Sequence, residues 1–159
     1  MDPVQAGYFI VFSGRTALNV DAKGRLAIPT RHRDALMRSC GGQVVLTHHP
    51  YDSCLSLYPE QQWQDVARQV ASLSDAEPVV RYLKRRFLGQ AVELELDGSG
   101  RILIPTELRE LVALDKRAML VGQIHRFEIW SDTAWQAEQE QYSQIDLTAM
   151  PESVQKLSF

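Results

Sequence analysis

A chain of 159 residues, 45% hydrophobic and 23% charged, has the make-up of a globular protein, long enough for one sizeable core or two small ones. Its two cysteines, Cys40 and Cys54, are too few for a disulfide framework, and no apolar run approaches the roughly 20 residues that a membrane-crossing helix needs. The net charge of −3 is unevenly spread: +3 over residues 1–40, −3 over 41–76, +1 over 77–101 and −4 over 102–159.

The opening MDPVQAGYFIVF has an acidic rather than basic start, a poor match to a signal peptide, so a soluble intracellular protein is expected. Leu18 and Val20 alternate with polar neighbours and predict a strand. A Gly-containing connection, Ala22-Lys23-Gly24, then lets the chain reverse, and Leu26-Ala27-Ile28 reads as a second, buried strand that Pro29 stops. Thr30 is expected to cap a short helix carrying Ala35, Leu36 and Met37 and ending at Gly41-Gly42. Val44-Val45-Leu46 and Leu55-Ser56-Leu57-Tyr58 predict two further strands, followed by a helix with Trp63, Val66, Val70 and Leu73 on one stripe. A linker helix is predicted from Pro78, with Val79, Leu83 and Phe87 as its core stripe.

The same sentence is then written again. Asp21, Gly24, Arg25, Ile28, Pro29, Thr30 and Arg33 recur as Asp97, Gly100, Arg101, Ile104, Pro105, Thr106 and Arg109, at a constant offset of 76. Leu94-Leu96, Ile102-Leu103-Ile104, Leu108 to Val112, Met119-Leu120-Val121, Phe127 to Trp130 and Trp135 repeat the remaining elements. The first copy is longer at THHPYDSC, where the offset drops from 75 to 72. After Tyr142 periodicity is weak, and a loosely ordered end with one short helix at most is expected. A unit of four short strands and two small helices has little apolar area of its own. Two such units about a pseudo-two-fold axis would interlock into one closed barrel, as a symmetric homodimer does.

The repeated Asp–Arg pair admits two roles. An ion pair would fix the turn; an arginine would otherwise be free to fork onto phosphate or a guanine edge. Asp21, Gly24, Asp97, Gly100 and Arg101 are assigned to the turn, and Lys23 and Arg25 to contact with a nucleic acid. Arg15, Arg31 and Arg33 are read as extending that basic patch. Arg31 and Arg33 lie in a first helical turn, where the dipole disfavours cations and a bound phosphate would compensate. The basic run Arg81, Lys84, Arg85, Arg86 is assigned to subunit contact or a solvated face.

Enzyme classes find little support. An aspartic-protease-like pairing of Asp21 with Asp97 lacks the Ser/Thr-Gly that such chemistry places after each Asp, since Ala22-Lys23 and Gly98-Ser99 follow instead. His48, His49, Asp52 and Cys54 form no metal-binding spacing, and neither a P-loop nor GxGxxG occurs. No catalysis, metal or cofactor is expected.

The paired "DAKGRLAIPTRHR" and "DGSGRILIPTELR", with "LSLYPEQQW" and "MLVGQIHRFEIWSDTAW", resemble the MraZ family of bacterial transcriptional regulators over roughly residues 11–142. The resemblance implies an α+β fold: an AbrB-like swapped-hairpin β-barrel built from two intrachain repeats, with peripheral helices. The units would be an N-terminal extension over residues 1–10, a first repeat over 11–72, a linker helix over 73–90, a second repeat over 91–142 and a tail over 143–159. It further implies a cytoplasmic, nucleoid-associated, ring-forming homo-oligomer that binds double-stranded DNA at the promoter of its own division and cell-wall gene cluster, as an autorepressor. Two departures stand out: residues 1–10, to which no function attaches, and a less basic second repeat. There Ser99, Glu107 and Leu108 replace Lys23, Arg31 and His32, which places the DNA-facing surface mainly on repeat one. The alternative is an antitoxin-like or assembly protein that offers the same barrel to a protein partner.

Overall fold

The computed structural model describes residues 11–159, and the expected extension over residues 1–10 lies outside them. The described residues hold eight strands: β1 (Arg15–Asn19), β2 (Arg25–Ala27), β3 (Gln43–His48), β4 (Leu55–Pro59), β5 (Val92–Glu95), β6 (Arg101–Leu103), β7 (Arg117–Gly122) and β8 (Phe127–Ser131). The helices are α1 (Thr30–Cys40), α2 (Glu60–Ala71), α3 (Pro78–Phe87), α4 (Thr106–Leu111), α5 (Asp132–Tyr142) and α6 (Glu152–Gln155), with a 3-10 turn at Leu147–Ala149. No helix among the described residues is long and apolar enough to cross a membrane.

The strands form a six-stranded antiparallel sheet in the order β1-β7-β8-β4-β3-β5, and a two-stranded one of β2 with β6. Exchanging the repeats (β1 for β5, β3 for β7, β4 for β8) returns the same order read backwards, so the pseudo-two-fold axis passes between β4 and β8. The repeats are interlocked. The first strand of each lies beside the third strand of the other, with Leu18 opposite Ala118 and Leu94 opposite Val44. The ladders describe two open sheets. β1 and β5 are the edges of the large sheet, and the β2–β6 pair joins it through an antiparallel bridge of Val20 with Leu26.

Period-2 alternation sends one apolar face of every strand to a shared core. Leu26 and Ile28 from repeat one and Ile102 and Ile104 from repeat two are all fully buried there. Neither half could cover these side chains alone. At roughly 25 cal/mol per Å² of apolar surface, that burial is the main force holding the halves together.

Three local expectations need correction. α1 and α4 begin one residue after an extended Pro29 or Pro105 (ψ 142° and 144°), with Thr30 and Thr106 as first helical residues and no side-chain cap. Proline at the boundary already supplies the non-helical dihedrals of a cap and has no N–H to satisfy, and the Thr106 hydroxyl instead accepts from Arg109. Val79 is 67% exposed, not core, whereas Phe87 on the same stripe is buried against Tyr58 and Trp63. Three cations of the basic run on α3 are tied inside the chain, while Arg85 is exposed. Lys84 donates to the carbonyls of Ala71, the last residue of α2, and of Leu73 just beyond it, Arg81 to those of Asp75 and Ala76, and Arg86 to those of His49 and Asp52. Cations at a helix C-terminus are favoured by its dipole, which accounts for Lys84.

Candidate nucleic-acid interface

Both Asp–Arg turns are built alike. Asp21 Oδ1 accepts the backbone N–H of Lys23 (3.0 Å) and Arg25 (2.9 Å), and Oδ2 accepts Arg25 Nε at 2.7 Å. Asp97 makes the same three bonds with Ser99 and Arg101, each at 2.9 Å. The backbone bond from the arginine, ahead of the other bonds, holds each carboxyl below its ordinary pKa despite an opposing desolvation effect. These carboxylates are fully engaged as turn braces. Gly24 and Gly100 close the turns at φ +87° and +71°, which a side chain would resist.

At the first turn Lys23 is exposed, and the Arg25 side chain is about one-third exposed although its Nε is held by Asp21. The second turn offers Ser99 in place of Lys23.

The interlock adds cations that do not show in the linear charge map. A cleft of about 420 Å³ beside the first turn is lined by residues 19–22 together with Arg109, Asp115, Lys116 and Arg117 of repeat two. Val20 donates its N–H to the carbonyl of Lys116 at 2.8 Å, and Asn19 stands opposite Arg117 in the ladder. At the equivalent place by the second turn, Leu96 donates to Gly42 and Glu95 stands opposite Gln43. The asymmetry between the turns is therefore larger in space than in sequence. Lys116 and Arg117 were hidden because they belong to the most acidic stretch of the chain; the swapped pairing of β1 with β7 moves them.

The other cations assigned to the patch lie elsewhere. Arg31 donates from its NH2 to Thr16 Oγ1 (3.2 Å), and Arg15 sits 6.0 Å from the centre of the Trp135 ring. Thr16 is four strand residues, about 13 Å, from Val20 at the turn. Arg15 and Thr16 are successive residues of β1 and face opposite sides of it, so Arg15 and Arg31 stand at two separate places away from the turn. Arg33 reaches across the interlock: its Nε donates to the Ile28 carbonyl at 3.1 Å and its guanidinium lies against Gly100 of repeat two. Arg109 does the same with Ile104 and Gly24.

A further polar cluster joins His49, Cys54 and Glu128, all buried and with candidate ligand atoms within 4.8 Å of one another. Of the loop residues grouped with them in the sequence, His48 lies outside this cluster and Asp52 keeps its carboxylate 3.8 Å from His49 Nδ1, while Glu128 joins from repeat two. His49 Nδ1 accepts the N–H groups of Tyr51 and Asp52, so Nε2 carries the ring proton, 3.1 Å from Glu128 Oε2. Ligating a metal through Nε2 would force that proton onto Nδ1, against two fixed N–H donors, so the donor set opposes ligation. Glu128 also accepts from Trp130 Nε1. Burial pushes its pKa up, but the bonds from His49 and Trp130 outweigh that and leave it lowered. Burial pushes the Cys54 thiol well above its ordinary range, so it stays protonated. The cluster is a hydrogen-bonded lock between the longer loop of repeat one and β8.

Comparison with known proteins points one way. The sequence model of one family, described as "MraZ protein, putative antitoxin-like", matches residues 11–86 and again residues 87–157. The chain is 56% identical over 149 residues to a protein of Alcanivorax borkumensis named "Transcriptional regulator MraZ", covering 94% of this chain and 100% of that one. Proteins of the same name from Shewanella pealeana and Pseudomonas aeruginosa are 53% and 47% identical, each aligned over 82% of this chain and 86% of its own length.

Proposed function

The chain belongs to the MraZ family, and on that footing we propose that it is a non-catalytic, sequence-specific DNA-binding transcriptional regulator that acts as a homo-oligomer. The observation that carries the reading is the gathering of cations from both repeats around one turn. Arg109, Lys116 and Arg117 of the second repeat line the cleft with Asp115 and with residues 19–22 of the first, and Lys23 and Arg25 follow in the same turn. Lys23 and Arg25 grip phosphate or read base edges there, Lys116 and Arg117 widen the contact, and Asp21, Gly24, Asp97, Gly100 and Arg101 keep the turns in shape. Arg15 and Arg31 each add a phosphate contact away from the turn, with Arg33 adding charge while bracing the second turn. The names of the relatives support a regulator of transcription.

In this reading the interlocked repeats are an AbrB-like swapped-hairpin barrel, divided into repeats over residues 11–72 and 91–142, a linker over 73–90 and a tail over 143–159. A useful affinity for DNA takes roughly 6–10 neutralised phosphates, more than one turn supplies. A ring of subunits binding short repeated sites makes the later contacts effectively intramolecular. The target is double-stranded DNA at the promoter of the chain's own operon, in the division and cell-wall gene cluster, with autorepression in the cytoplasm at the nucleoid as the outcome.

The family description "antitoxin-like" favours a second reading, in which the first turn docks a protein. Light scattering with and without a duplex spanning the DNA upstream of the reading frame separates the two. The regulator reading expects several subunits in solution and a mass gain on adding the duplex. A monomer that leaves the duplex unshifted overturns it.

A further inference from the structure

The first helix opens with two residues that the second repeat lacks. Arg31 and His32 stand where Glu107 and Leu108 stand in the other copy. The repeats serve as each other's control: His32 is 7% exposed and Leu108 is 3% exposed, so a plain apolar side chain satisfies packing at this place in the fold. Burying an imidazole costs desolvation that leucine does not incur. The difference calls for a polar role.

The geometry supplies one. The His32 ring meets Phe12 and Phe127 edge-on, with centroids 5.5 and 5.0 Å away, which fixes its orientation. Its Nε2 accepts a hydrogen bond from Arg31 Nε at 3.1 Å, while the NH2 of the same guanidinium donates to Thr16 Oγ1 on β1. An exposed arginine, whose side chain ordinarily samples many rotamers, is thereby held by two acceptors on different elements.

We propose that His32 is a positioning residue for Arg31: its unprotonated Nε2, together with the Thr16 hydroxyl, holds the guanidinium in one orientation toward a DNA phosphate, and protonation of the ring releases it. Only the phosphate step rests on the DNA-binding reading above; the latch itself belongs to the free chain. Burial first, and the charge of Arg31 second, keep the pKa of His32 below its ordinary value, so at neutral pH the ring is an acceptor. The elements packed around the ring face it with Phe12 and Phe127, and Arg31 is the charged group that acts on it. As pH falls through that lowered value, Nε2 gains a proton. The acceptor becomes a donor of like charge facing Arg31, and the bond is lost.

The test has two arms. In the first, the side-chain Nε–H resonance of Arg31, assigned with Arg31→Lys, is followed by NMR in the absence of DNA. It should be protected from exchange at neutral pH and lose protection as His32 titrates. His32→Gln, which keeps an acceptor that does not titrate, should retain protection throughout. His32→Leu, the residue of repeat two, should abolish it with the fold intact by circular dichroism. In the second, fluorescence anisotropy measures binding to a labelled duplex spanning the DNA upstream of the reading frame. His32→Leu should bind roughly three- to tenfold more weakly, as for one lost charge-assisted hydrogen bond. The affinity of the natural chain relative to His32→Gln should fall at low pH. A pH-independent Arg31 resonance, or protection that survives in His32→Leu, overturns the latch. Protection as expected, with undiminished binding by His32→Leu, overturns its part in DNA contact. Absence of binding by the natural chain overturns the DNA-binding reading and the phosphate step with it, while the resonance alone still decides the latch.

Discussion

Arg109 of the second repeat lies across Gly24 of the first, its Nε 2.8 Å from where a Cβ on the glycine would stand. The turn that presents Lys23 is therefore roofed by the other half of the chain. Gly24→Ala meets both a φ of +87° and this guanidinium, whose Nε is already committed to the Ile104 carbonyl at 3.0 Å. We expect a loss of about 1–3 kcal/mol in denaturant unfolding. Gly98→Ala is the control: nothing lies within 4 Å of its Cβ, and a change within about 0.5 kcal/mol is expected.

The buried His49–Glu128 contact couples stability to acidity. The pKa of Glu128 is lowered, so its contribution is present above the ordinary carboxylate range and is lost as pH falls through the folded value. Glu128→Gln should cost about 1–3 kcal/mol at neutral pH, with the gap from the natural chain closing in acid. Thermal melts across pH measure this. A gap that widens in acid contradicts the assignment.

Lys84 distinguishes a structural role from a DNA contact for the α3 basic run. It donates to Leu73 O and Asp75 Oδ1, each at 2.7 Å. Lys84→Met should lower stability by about 1 kcal/mol and leave affinity for DNA unchanged. Reduced affinity with unchanged stability would assign the run to DNA instead.

The cations that the interlock moves to the first turn have their own readout. Lys116→Ala with Arg117→Ala should flatten the dependence of log affinity on log salt by about 0.9 for each phosphate contact removed. An unaltered slope would place these residues off the interface.

Much of this architecture was legible in the chain itself. The doubled Asp-x-x-Gly-Arg and the apolar runs that Pro29 and Pro105 end locate the first two strands of each repeat, and short apolar runs such as Val44-Val45-Leu46 locate the others, because such signals are local: a period, a glycine, a proline. Asp21 and Asp97 as turn braces followed from the same spacing. What stayed hidden is set by register between repeats. Asn19 opposite Arg117 brings Lys116 to the first turn, and Ser56 opposite Glu128 places that carboxylate under His49. Neither partner lies within 70 residues of the other in sequence, so no window reveals it. Val79 departs from its expected place in the core for the opposite reason. Helical spacing says which residues share a face, not how far along the helix that face stays covered.

The first turn's role in holding DNA is tested most directly by Lys23→Ala with Arg25→Ala, because the Asp21 bonds to backbone N–H survive the change and keep the turn closed. Anisotropy titration with the duplex from upstream of the reading frame, on a variant shown to be folded and assembled, is the measurement. Affinity reduced by at least about tenfold is the predicted result, and affinity equal to that of the natural chain would contradict it.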